Sequence, residues 1–240
     1  MNNSQPEQKH EINVLELRNY LLKPNTLEEF GKYFSNHFES RMNEMGGYTM
    51  GKFNISSVND RFVWFRGFAD MKIRVKFLND FYINSPTWKE FGPAANEMMI
   101  NSDNVYLLRP LTSGITIDLL AANDQITTVD FYICNSTLDK VIDLFNKSYI
   151  PFLKTLDIHN TTLWVSEMQE NDFPRLPVFQ DKNLLVQITH YKTQKEYKAK
   201  KMLIHQMNTD LKNSMQELIT AQSNLLLLRK NYNSLLKKEN

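Results

Sequence analysis

Polar and apolar residues alternate from Ile12 to Tyr20, with Leu15 and Leu17 on one face and Glu16, Arg18 and Tyr20 on the other, which predicts a strand. After the Pro24-Asn25 turn, Leu27, Phe30, Phe34, Phe38 and Met45 recur at helical spacing until Gly46-Gly47. Thr26 followed by Glu29 reads as a capping box for that helix. Tyr48 to Phe53 is a second strand, and the run of Phe62, Val63, Trp64, Phe65 and Phe68, broken only by Arg66, is an inner one. Asp70 then caps a helix carrying Ile73, Phe77, Leu78 and Phe81. Ser85-Pro86 restarts it, Gly92-Pro93 is expected to break it, and Asn104 to Arg109 is a strand closed by Pro110.

The second half repeats this grammar. Thr128 to Cys134, Thr161 to Met168 and Leu184 to Tyr191 read as strands, and Thr137 opens a helix much as Thr26 does. Thr193 and Glu196 form another capping box, and Asn224 to Arg229 echoes Asn104 to Arg109. Repetition at this distance signals duplication. The expected fold class is α+β: two tandem ferredoxin-like units packed sheet to sheet as a dimeric α/β barrel. The units span residues 11–112 and 127–232, joined by 113–126, with loose tails at 1–10 and 233–240. Residues 115–122 fit an extra strand or a short helix equally well.

Composition narrows the function classes. With 240 residues, 42% of them hydrophobic and 23% charged, the chain suits a globular protein with sizeable cores. Lys+Arg 28 against Asp+Glu 27 leaves a net charge of +1, so bulk charge indicates neither nucleic acid nor an acidic membrane surface as partner. The basic run from Lys192 to Lys201 is interrupted by Glu196 and reads as a solvated helix face. The lone Cys134 sits mid-strand, where packing is expected, and suits a reducing compartment. The polar start lacks the apolar core of a signal peptide, and no window is apolar enough to span a membrane, which gives a cytoplasmic expectation.

Several segments in order carry a family resemblance. Leu15-Glu-Leu-Arg-Asn-Tyr-Leu-Leu-Lys-Pro24, Val63-Trp-Phe-Arg-Gly-Phe-Ala-Asp-Met-Lys-Ile-Arg74, Phe81-Tyr82 with Trp88 and Asn96, and Asn104 to Pro110 resemble the NIPSNAP family. In the second half, Glu167 and Asn171-Asp-Phe-Pro-Arg-Leu-Pro-Val178 are similar to the connecting loop of its two-domain bacterial members. The resemblance implies a dimeric α+β-barrel fold, with a pseudo-dimer inside one chain and a homodimer of chains as the expected assembly. It implies no established reaction. The wider barrel superfamily includes monooxygenases, some with haem and some without cofactor, but a shared fold is a poor warrant for function.

The residues themselves offer one notable cluster. If the polar faces of the two strands coincide, Glu16, Arg18, Tyr20, Trp64 and Arg66 meet, one carboxylate facing two guanidiniums beside an indole. Such a site could hold a carboxylate or phosphate, or it could be an internal salt-bridge network. In the second half, Tyr132, Gln187 and Thr189 are expected where the first has Arg18, Trp64 and Arg66. Arg109, closing its strand, joins the candidate ligand-binding set, while Trp88 is read as core and Asn96 as capping a turn. The long loop from Gln169 to Asn183, with Phe173, Arg175 and Leu176, is read as a lid or a dimer contact. No catalytic residue can be named. His190 could act as a base near Glu167 or Asp130, and His205 is the one plausible haem ligand. No metal-ligand spacing, phosphate loop or dinucleotide glycine pattern occurs, so no metal or cofactor is expected. The functional expectation is a small organic ligand, anionic or aromatic, in an Arg/Trp-lined pocket. A monooxygenase-like enzyme and a non-catalytic interaction module are the alternatives.

Overall fold

The computed structural model describes residues 11–115, 125–135 and 138–232. Its first half runs β1 (Val14–Leu22), α1 (Leu27–Phe34), α2 (Ser40–Glu44), β2 (Tyr48–Ile55), β3 (Arg61–Phe68), α3 (Met71–Asn79), α4 (Pro86–Met98), β4 (Met99–Asn101) and β5 (Val105–Pro110). The second runs β6 (Ile126–Cys134), α5 (Leu138–Leu144), α6 (Ile150–Thr155), β7 (Thr161–Ser166), β8 (Leu184–Tyr191), α7 (Gln194–Ile204), α8 (Thr209–Leu218) and β9 (Ile219–Arg229). Most of the expected connecting segment, residues 116–124, lies outside the described residues, as do both tails.

Eight strands close a ring in the order β1-β3-β2-β9-β6-β8-β7-β5, with short β4 attached to β1. All strand pairings in the ring are antiparallel. The expected barrel is therefore present, as one continuous ring of strands. The halves are hydrogen-bonded edge to edge, Leu108–Pro110 of β5 to Trp164–Ser166 of β7 and Phe53–Ile55 of β2 to Leu227–Arg229 of β9. Closure removes open edges and fills an eight-strand interior with side chains. Leu15, Leu17, Val63, Phe65, Val129, Phe131, Val186 and Ile188 occupy that interior. The alternate residues face outward, where the helices of each half cover them.

Local sequence explains most elements and corrects some expectations. Asp70 accepts from Ile73 N at 2.7 Å, and Thr193 from Glu196 N at 3.1 Å, so these caps form. Thr26 makes no cap, because its hydroxyl donates to Lys23 O at 2.8 Å within the preceding turn. Pro93 does not break α4: it lies on an exposed face, where the carbonyl it leaves without an amide partner can be met by water. Between α1 and α2, and again between α5 and α6, the chain widens into a π turn, Ser35–Glu39 and Phe145–Tyr149. Phe30, Phe34, Phe38 and Met42 step by four, a spacing that drifts around a 3.6-residue helix, and the wider turn keeps all four buried on one core. Ile73, expected on the buried stripe of α3, is 37% exposed; Met71, Arg74, Phe77 and Leu78 are the buried set. No helix among the described residues is long and apolar enough to cross a membrane.

Candidate functional site

The outward face of β1 and β3 carries the charged cluster. Glu16 lies opposite Arg66 and Arg18 opposite Trp64 in the β1–β3 register, so the polar faces do coincide. That face lies beneath the helices, not inside the barrel, since Leu15 and Leu17 take the interior positions. Glu16 accepts from Arg18 Nη1 at 2.7 Å, from Arg66 Nε at 2.8 Å and Nη2 at 2.5 Å, and from a third arginine, Arg74 Nε, at 2.7 Å. None of these four residues exposes more than 1% of its surface. Burial pushes the Glu16 carboxyl up, but Arg66, Arg18 and Arg74 together outweigh it and hold the group well below the usual carboxylate range. Among the described residues Glu16 is the only carboxylate paired with any of the three, which leaves two buried positive charges in surplus.

Aromatic rings and hydroxyls surround this surplus. The Arg18 and Arg66 guanidiniums sit 5.7 and 5.2 Å from the centre of the Trp64 ring, where its π face favours a cation. Arg18 Nε donates to Tyr20 Oη at 2.7 Å, and Arg66 Nη1 to Tyr82 Oη at 2.9 Å. Arg74 Nη1 reaches Asn171 Oδ1 at 3.0 Å, on the long loop from the second half, while Arg74 Nη2 is buried without a partner.

A cavity of about 250 Å³ opens beside the cluster. Arg18, Tyr20 and Phe173 supply buried wall, Tyr82, Trp88 and Leu176 are half-buried, and Asn96 and Arg175 stand exposed at the rim. Of the expected ligand-binding residues, Arg18 and Tyr20 therefore line the cavity. Glu16 and Arg66 lie behind its wall, and Trp64 lines an adjoining recess of about 30 Å³. Arg109 is a correction. It is exposed at the end of β5, paired with Val165 across the seam, and does not line the cavity. Trp88 and Asn96, expected to be core and cap, both line it. Phe173, Arg175 and Leu176 wall the cavity, placed by a loop whose ends are tied to β5: Glu167 N to Leu107 O, Leu107 N to Phe179 O, and Phe179 N to Val105 O.

Arg74 and Tyr82 of the cluster were missed from sequence, as were Met99 and Ser102 of the cavity lining. Arg74 had a signal: it falls three residues after Met71 and three before Phe77, on the buried face of α3. Tyr82 sits in the π turn Asp80–Asn84, where helical spacing gives no guide to direction.

The second half has a different interior. Asp130 lies opposite Gln187 and Thr128 opposite Thr189, so Asp130, not Tyr132, takes the place that Arg18 has opposite Trp64. Val129 and Phe131 are the interior residues flanking Asp130, just as Leu17 flanks Arg18, and this fixes the register two residues from the expected one. Tyr132, Phe145, Tyr149, Leu211 and Met215 fill the space between sheet and helices. Burial pushes the Asp130 carboxyl up to about 6, against smaller opposing effects from the Thr128 hydroxyl and Lys201. Cys134 is buried, and its thiol is pushed up to about 11 by burial and by Asp181.

Among the described residues no histidine is placed to ligate a haem in the cavity. His205 is exposed, its Nδ1 lying 2.7 Å from Lys201 O, and no histidine among the described residues lines the cavity. His190 is held at 2.8 Å from Thr127 Oγ1, away from the cavity, and burial and Arg229 push it down to about 4. The residues around the cavity do not fit a haem.

No protein-family model and no curated protein matches the chain. Solved structures do. A candidate monooxygenase from Lactobacillus acidophilus is 13% identical, with a TM-score of 0.58 over 91% of this chain and 94% of its own. An anthrone oxidase-like protein is 9% identical, with a TM-score of 0.58 over 94% and 93%. A NIPSNAP family protein from Agrobacterium tumefaciens is 16% identical but aligns with 40% of this chain at a TM-score of 0.36, which does not establish that family. The full-length likenesses establish the fold alone: an α+β chain with an eight-stranded antiparallel barrel like those of these two proteins.

Proposed function

We propose that this chain, a tandem NIPSNAP-like protein in which one ferredoxin-like unit spans residues 11–112 and the other 127–232, binds a small organic anion in the cavity of its first half. One observation carries the reading: three buried guanidiniums share one carboxylate, and one of them, Arg18, forms cavity wall. A buried charge without a counter-charge is costly. An anion at Arg18 and Arg175 would offset that cost, and the apolar wall of Trp88, Phe173 and Leu176 suits a hydrocarbon body. Duplication followed by divergence accounts for the two halves, with Asp130 in the second replacing the guanidinium of the first. A homodimer of chains and a cytoplasmic setting belong to the same reading.

Thermal melting with a panel of short-chain and aryl carboxylates tests it. A ligand at a hundred times its Kd adds about 2.7 kcal/mol to stability. The expected result is a rise in Tm for wild type that shrinks in Arg175→Ala, a rim substitution that leaves the buried network whole. No rise with any acid overturns the reading. A monooxygenase-like activity on the same bound anion is the second reading, supported by the full-length likeness to the Lactobacillus acidophilus protein. Oxygen consumption that depends on the added acid would select it.

A further inference from the structure

Tyr20 and Tyr82 both line the cavity, and each hydroxyl oxygen already accepts from an arginine, Arg18 Nε at 2.7 Å and Arg66 Nη1 at 2.9 Å. A guanidinium has no acceptor, so neither phenol can return its proton along that bond. Neither hydroxyl donates to an acceptor among the described residues. Burial holds the Tyr20 phenol above its ordinary value despite the opposing pull of Arg18, so it keeps its proton at neutral pH. The wall formed by Arg18, Tyr20 and Tyr82 thus offers proton donors, and each of its two hydroxyl oxygens already accepts one hydrogen bond from a guanidinium.

We propose that Tyr20 and Tyr82 determine the specificity of the cavity, reading the oxygens of a monocarboxylic acid whose hydrocarbon end lies against Trp88, Phe173 and Leu176. This rests on the anion-binding reading above and names its ligand class. A carboxylate presents only acceptors, matching the donor wall, whereas the corresponding amide turns N–H donors toward donors and leaves polar groups unmatched. The recess that shares Tyr20, Tyr82, Trp88 and Met99 with the cavity holds only about 30 Å³, too little for a ring, so the hydrocarbon end stays in the cavity itself. There the apolar wall of Trp88, Phe173 and Leu176 favours an aryl or branched-alkyl end over a second charged group.

Isothermal titration with benzoate, 3-methylbutanoate and benzamide tests the proposal on wild type, Tyr20→Phe and Tyr82→Phe. Each substitution keeps the ring, including the edge-on contacts of Tyr20 with Phe30 and Trp64. The expected result is that wild type binds at least one of the acids and discriminates against the amide. Each variant should lose about tenfold or more in acid affinity, with a smaller acid-to-amide ratio. That ratio separates recognition from general loosening, which would weaken acid and amide alike. Acid affinity and ratio both unchanged in the two variants, with Arg175→Ala still weakening the acid, would overturn the tyrosine role and leave the anion site standing. Failure of wild type to bind either acid would overturn both.

Discussion

Glu16 is the residue on which the first half's polar interior converges, since it is the shared acceptor of Arg18, Arg66 and Arg74. Removing one partner of a buried ion network leaves charge without compensation and costs about 3–5 kcal/mol. Glu16→Gln is therefore expected to lose at least about 3 kcal/mol in urea unfolding, and a loss under about 1 kcal/mol would mean that the arginines are solvated in the folded chain. Asp130 shows the opposite linkage. Its folded-state carboxyl is raised to about 6, so its share of stability is fully present below the ordinary carboxylate range and is lost as pH rises through 6. Asp130 is only half-buried, which limits the effect. Asp130→Asn should stabilise the chain by about 1–2 kcal/mol at pH 7.5 and by almost nothing at pH 4. Equal melting curves at pH 7.5 would refute this. At this scale Glu16, Arg18 and Arg66 were legible because strand alternation is strict. Arg74 was hidden because a long cationic side chain in a helix reads as exposed until its position against Met71 and Phe77 is weighed.

Among the elements, the loop from Gln169 to Asn183 has the strongest bearing on the site. Asn171 joins it to the charged cluster, accepting from Arg74 Nη1 at 3.0 Å and donating through Nδ2 to Leu176 O at 2.9 Å. Asn171→Ala removes both bonds at once, together with the 3.4 Å bond that Asn171 Oδ1 accepts from Phe173 N. Amide hydrogen exchange at Phe173 and Leu176 should then speed up, and carboxylate affinity should fall about tenfold. Unchanged exchange there would show that the β5 pairing of Phe179 alone holds the loop. The sequence marked this segment by its length and its prolines, but not its destination, because contacts between distant segments leave no local periodicity. Capping shows the same limit. Thr26 and Thr193 carry similar motifs, yet only Thr193 closes onto its helix, since Thr26 finds a nearer acceptor in Lys23 O.

For the whole molecule, the order of strands and helices was readable because each element must bury one stripe or one face. A barrel was expected too, but the pairing at its seams was not readable. The seams involve only three residue pairs each, and nothing in Phe53–Ile55 or Leu108–Pro110 singles out Leu227–Arg229 or Trp164–Ser166 as a partner. The seams also decide what each half can do alone. Phe173, Arg175 and Leu176 belong to the second half but wall the cavity of the first, and Tyr232, past the end of β9, packs on Phe62 beneath α1. Severed between its halves, the leading piece would keep its three guanidiniums and lose their roof. Flooded with solvent, those cations would grip an organic acid with little more strength than free arginine does.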